Sequence, residues 1–107
     1  MKQIHQFIIK NVNGQKRKVG VLVGRIDESG TVRIGWSRAN INRGDKFNKK
    51  YGMELASERT NAEECVPVPP SIVEDAYDFQ DRCGRYFKDA TAMYKIAIQR
   101  SVQKETV

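Results

Sequence analysis

Apolar residues recur along this chain with two different periods, and the change of period divides it into a strand-rich part and a helical part. In residues 3–10, QIHQFIIK, apolar and polar positions alternate before ending in β-branched residues, which predicts a strand. Asn11 to Gly14 reads as a turn, because Asn-Gly tolerates the positive φ that a tight hairpin requires. A second strand is expected from about Arg17 to Ile26, with Val19, Val21 and Val23 on one face and Gly20, Leu22 and Gly24 on the other. The small residues there permit a close approach or a bulge. Asp27 to Gly30 supplies the next turn, and Thr31 to Ser37 the third strand. Val32, Ile34 and Trp36 share one of its faces, and Thr31, Arg33 and Gly35 the other. Residues 1–38 thus read as a three-stranded antiparallel meander.

After the loop from Arg38 to Gly44 the period lengthens. Phe47, Tyr51 and Leu55, with Arg59 one turn further, form one stripe of a helix running from about Lys46 to Asn61, with Asp45 as its N-cap. The CVPVPP segment that follows is extended, since Pro67, Pro69 and Pro70 fix φ and restrict the residues before them. Ser71 to Glu74 then has the form of a capping box and opens a second helix, expected to run over 71–103. Its stripe is Ile72, Ala76, Phe79, Cys83, Tyr86, Ala90, Met93 and Ala97. An unbroken helix of about thirty residues would reach about 45 Å, longer than a domain of this size is wide. It therefore either breaks, with Gly84 as the candidate, or projects and pairs with another copy. The recurrence of Ala76, Cys83, Ala90 and Ala97 at seven-residue spacing suits a homodimer through this helix; the plainer alternative is that the same face covers the sheet. The expected fold class is α+β: a three-stranded meander followed by two helices, the second long, in a single domain.

Composition narrows the function. The 107 residues are 39% hydrophobic and 30% charged, which places the chain among globular proteins. No apolar run approaches the roughly 20 residues needed to span a bilayer, so no membrane association is expected. Cys65 and Cys83 form no CxxC pair, and the single histidine is His5. No zinc-type ligand set can be assembled, and free thiols in a cytoplasmic, reducing setting follow. The net charge is +6, unevenly spread: residues 1–50 hold twelve basic and three acidic side chains, whereas the remainder hold seven basic and ten acidic. A cationic half of this kind is a footprint of a polyanion partner, because lysines and arginines that neutralise phosphates release condensed counterions.

The most unusual stretch is Ser37 to Arg59, where Arg43, Lys46, Lys49 and Lys50 gather around the start of the first helix. The helix dipole places partial positive charge there, so cations in the first turn are disfavoured unless an anion accompanies them. Only Lys50 of the four has an acidic residue at i+4, Glu54; Arg43, Lys46 and Lys49 lack the acidic partners that solvated charged faces carry. Gly52, inside the helix, costs about 1 kcal/mol relative to alanine and is explained by close packing of another backbone. Arg33 and Arg38 beside Trp36, and the hairpin residues Lys16, Arg17 and Lys18, extend the basic surface. Trp36 itself reads first as a core residue, and second as a stacking surface.

This stretch resembles a motif of small accessory proteins encoded by tailed phages, in which a strand ending in Ser leads to Asp-x-Phe-x-Lys-Lys-x-Gly-x-x-x-Ala-x-x-Arg. The matching positions are Ser37, Asp45, Phe47, Lys49, Lys50, Gly52, Ala56 and Arg59, within residues 31–60. The resemblance implies a viral accessory protein acting in the host cytoplasm and implies no known reaction.

An enzyme is not expected. His5 is isolated, and Glu74, Asp75, Asp78 and Asp81 occupy the first turns of a helix, where the dipole alone explains them. A P-loop, a dinucleotide fingerprint and an RNP signature are absent, and no cofactor or metal is called for. The leading expectation is a nucleic-acid-binding protein, RNA favoured over DNA, acting through Arg33, Arg38, Arg43, Lys46, Lys49 and Lys50 with Lys16, Arg17 and Lys18, in a phage accessory or counter-defence role. The second is a protein-binding inhibitor that steers onto an acidic host factor with the same basic face.

Overall fold

The computed structural model describes residues 2–40, 44, 46–61, 66–93, 96 and 97. Three long strands, β1 (Gln3–Val12), β2 (Gln15–Ile26) and β3 (Thr31–Arg38), form the antiparallel meander that the sequence predicts. Asn13 and Gly14 both take positive φ, 52° and 80°, so the β1–β2 turn uses the residue pair best suited to it. Helix α1 (Lys49–Thr60) follows, then a 3-10 turn at Pro70–Ile72, helix α2 (Val73–Tyr86) and a two-residue strand, β4 (Ala92–Met93). β4 lies parallel to β3, giving the sheet order β1-β2-β3-β4.

The central strand explains the layering. Every residue from Val19 to Gly24 is buried, which requires cover on both faces of β2. Val21 and Val23 pack with Ala56 of α1, edged by Phe7, Phe47 and Met53. Leu22 packs on the opposite face with Ala76, Phe79 and Cys83 of α2, together with Ile8, Val32 and Ile72. The two helices therefore sandwich the sheet. A bulge shifts the β1–β2 register between Ile8 and Ile9 and leaves Val19 as the extra residue on β2. Val19 consequently joins the α2-side core instead of sharing a face with Val21 and Val23, as strict alternation predicts.

Both helices differ from their sequence expectations. α1 starts at Lys49, and its N-cap is Asn48, whose side chain accepts from the Tyr51 amide at 3.0 Å; the expected cap, Asp45, lies outside the described residues. Its buried face is Gly52, Ala56 and Thr60, whereas Tyr51 of the expected stripe is 63% exposed. Small residues win because α1 lies against glycine: a Cβ on Gly35 would collide with the Ala56 carbonyl. On the other side of the sheet, a Cβ on Gly24 would meet Cys83 and Phe79 of α2.

The long C-terminal helix over 71–103 is replaced by one ending at Tyr86, two residues past Gly84. The chain turns at Phe87 to Ala90, enters β4 and returns beside the proline segment, where the Val68 amide donates to the Ala97 carbonyl at 2.7 Å. Ala76 and Cys83 are fully buried against the sheet and Ala90 lies past the helix, so the alanine seam for a homodimer is not a continuous helical face. The capping box is not formed: the first turn has no side-chain cap, and Ser71 Oγ accepts from Arg38. Proline at the preceding 3-10 turn has already fixed the helix entry. Among the described residues no helix is long and apolar enough to cross a membrane.

Candidate functional site

One end of the sandwich gathers the β1–β2 turn, the C-terminal end of β3 and the start of α1. Val12, Asn13, Arg17 and Lys18 from the hairpin meet Gly44, Lys46, Phe47 and Lys49 around a cleft of about 530 Å³. The two cationic segments, some thirty residues apart in sequence, thus form one surface. A second cavity of about 320 Å³ adjoins it through Lys46 and Phe47 and is walled by Ser37, Arg38, Tyr51, Gly52 and Leu55. A third, about 410 Å³, continues past Arg38 and Ala39 toward Lys10, Asn40 and Ser71. Among the described residues lining these three spaces there is no aspartate or glutamate.

Phe7 is the floor of the cation cluster. Its ring meets the Phe47 ring edge-on, with centroids 6.1 Å apart, and has the Lys18 ammonium 4.5 Å and the Lys49 ammonium 5.6 Å from its own centroid. Each ammonium is attracted by the ring's π electrons. Lys18 and Lys49 pair with no described acid; among the described residues, salt bridges join Lys10 to Asp75, which ties β1 to α2, and Arg33 to Asp27.

The remaining sequence candidates are distributed as follows. Lys46 is exposed at the cleft mouth, and Lys50 and Lys16 are exposed beside it without lining it. Arg38 is exposed and bonds Ser71. Arg43 lies outside the described residues. Arg33 does not belong to the cluster: it sits five residues back along β3, opposite Arg25 and bonded to Asp27 at 3.3 Å. That carboxylate caps the β2–β3 turn, accepting from Ser29 and from the Thr31 amide, and these bonds hold its pKa down at about 2. Trp36 is half-buried against the core, and its Nε1 donates to the Val66 carbonyl. The Arg59 guanidinium lies 4.1 Å from its ring centroid, so one ring face is covered by the chain itself.

Most residues that carry the motif have a structural use. Ser37 Oγ donates to the Gly52 carbonyl at 2.9 Å, Gly52 makes room for Phe47, Ala56 seats on Gly35, and Arg59 donates to the Trp36 carbonyl at 2.7 Å. They are the joint between β3 and α1. Lys49 and Lys50 take no part in that joint and face solvent. Sequence reasoning missed Phe7, concealed in a strand pattern, and Tyr51, whose position in a helical stripe argued for burial.

The described residues of the site offer charge and apolar walls. Among the described residues no three His, Cys, Asp or Glu side chains gather where they could hold a metal ion. Cys83, a free thiol, is buried under α2, and desolvation pushes its pKa up to about 12, leaving it un-ionised at neutral pH. Compared with models of known families, with curated proteins and with solved structures, the chain gives no significant match.

Proposed function

We propose that this chain is a small nucleic-acid-binding protein, RNA favoured over DNA, whose binding surface is the basic end of the sandwich. The observation that carries the reading is the convergence of Arg17 and Lys18 with Lys46 and Lys49 around one cleft free of described acids. A folded chain holds like charges together at a cost in self-repulsion, and a polyanion that displaces their counterions reverses the sign of that term. The uncovered lysines of the motif, Lys49 and Lys50, support the same surface. A phage accessory or counter-defence role rests on the motif resemblance alone.

Filter binding to single- and double-stranded RNA and DNA at two salt concentrations tests this. Affinity should fall steeply with salt, and replacing Lys18, Lys49 and Lys50 by glutamate should weaken binding and flatten the slope. Affinity unchanged in that variant overturns the assignment. A stoichiometric, nuclease-resistant protein partner bound through the same lysines would instead favour an inhibitor of a host factor.

A further inference from the structure

We infer that the ligand of this surface is single-stranded, and that the cavity between β3 and α1 receives one unpaired base against Tyr51. The inference rests on the nucleic-acid reading above and names its substrate class. Tyr51, in the first turn of α1, is 63% exposed, whereas Phe47 precedes the N-cap Asn48 and lies outside the helix. Phe47 is half-buried, held edge-on against Phe7 and packed over Gly52, where a Cβ would come within 2.7 Å of its ring. Gly52 and Ala56 occupy the sheet-facing side of α1, and Tyr51 is left standing at the rim.

The cavity behind it is lined by Phe47 and Leu55 together with Lys46, Asn48 and Arg38, of which Asn48 also caps α1 and Arg38 also bonds Ser71. At about 320 Å³ it is at the small end of ligand pockets, suited to one planar ring system. Cations stand on two sides: Arg38 and Lys46 line it, and Lys18 and Lys49 line the adjoining cleft. An apolar slot with an exposed aromatic ring, set between phosphate-binding cations, is the combination by which single strands are held. The π face takes a base of any identity while the backbone follows the positive charge. A duplex keeps its bases stacked inside and could use only the cations.

The test compares Tyr51→Ala, Tyr51→Phe and the double variant Lys18→Glu/Lys49→Glu, using a fluorescent uridine-rich RNA, the same sequence as DNA, and their duplexes. Circular dichroism confirms each fold. Tyr51→Ala is expected to weaken single-strand binding by about 5- to 100-fold, the range of one lost base stack, with duplex binding unchanged and Tyr51→Phe close to the parent. A 2-aminopurine in the strand should be quenched by the parent and by Tyr51→Phe, and not by Tyr51→Ala. RNA bound more tightly than DNA, or both bound alike, supports the inference equally, since the base face is common to them. Single-strand affinity unchanged in Tyr51→Ala overturns it while the lysine variant still loses binding, which leaves the basic-cleft reading standing. Equal losses on duplex and single strand also overturn it. Binding unaffected by the lysine variant removes both readings.

Discussion

At the scale of single residues, the glycines of this chain act in opposite senses. Gly35 is the floor on which α1 rests, and any side chain there strikes the Ala56 carbonyl, a backbone atom that cannot rotate away. Gly35→Ala should therefore destabilise at the upper end of overpacking, about 3 kcal/mol, read as a fall of many degrees in melting temperature. Gly84 is exposed within α2, and the nearest atom to a Cβ there is the flexible end of Met93 at 3.9 Å. Gly84→Ala should stabilise by about 0.5–1 kcal/mol, since alanine restricts the unfolded chain and meets nothing in the folded one. Asp27 gives a pH signature of its own. Its folded-state pKa of about 2 is below the ordinary carboxylate value, so its contribution is complete above about pH 4 and is lost as pH falls through about 2. Asp27→Asn should lower stability at neutral pH and flatten the acid limb of a melting-temperature profile between those limits.

At the scale of elements, the helix boundaries follow from competition that local sequence does not display. Asn48 caps α1 although Asp45 is the stronger candidate by sequence position, because the Ser37–Gly52 hydrogen bond and the Gly35–Ala56 seat fix where the helix lies on β3. Asn48→Ala should cost about 1 kcal/mol by removal of its bond to the Tyr51 amide, measurable by chemical denaturation. The meander was legible because period-two alternation, the Asn13-Gly14 turn and the Asp27–Gly30 turn agree with one another. The face of α1 was not, because Gly52, Ala56 and Thr60 score as poor core formers until the glycine opposite them is known. The end of α2 was half legible: length alone demanded a break and Gly84 marked it within two residues, but the return of the chain as a parallel β4 is a long-range pairing with no local signal. The same limit governed the site. Each cationic segment could be read locally, whereas their meeting over Phe7 depends on the β1–β2 register and the placement of α1.

At the scale of the whole molecule, the charge that recommends a polyanion partner is also a strain on the free protein, and the two effects share residues. Lys18 and Lys49 approach one aromatic ring with no described acid between them, while the salt bridges that screening would weaken are half-exposed pairs worth about 0–1 kcal/mol each. Added salt shortens the Debye length to about 10 Å at 0.1 M and damps repulsion among the clustered cations more than it removes attraction elsewhere. The melting temperature of the free protein should therefore rise between about 0.02 and 0.3 M salt, over which the screening length falls severalfold. Lys18→Gln/Lys49→Gln should start higher and rise less. On the proposed function, nucleic-acid affinity should run the other way, falling with salt by a slope of about 0.7 per phosphate neutralised on a single strand, and the double variant should lose part of that slope. A free-protein melting temperature that falls with salt in the parent would mean that the lysines are compensated by carboxylates, and that the cleft is balanced internally instead of by a ligand.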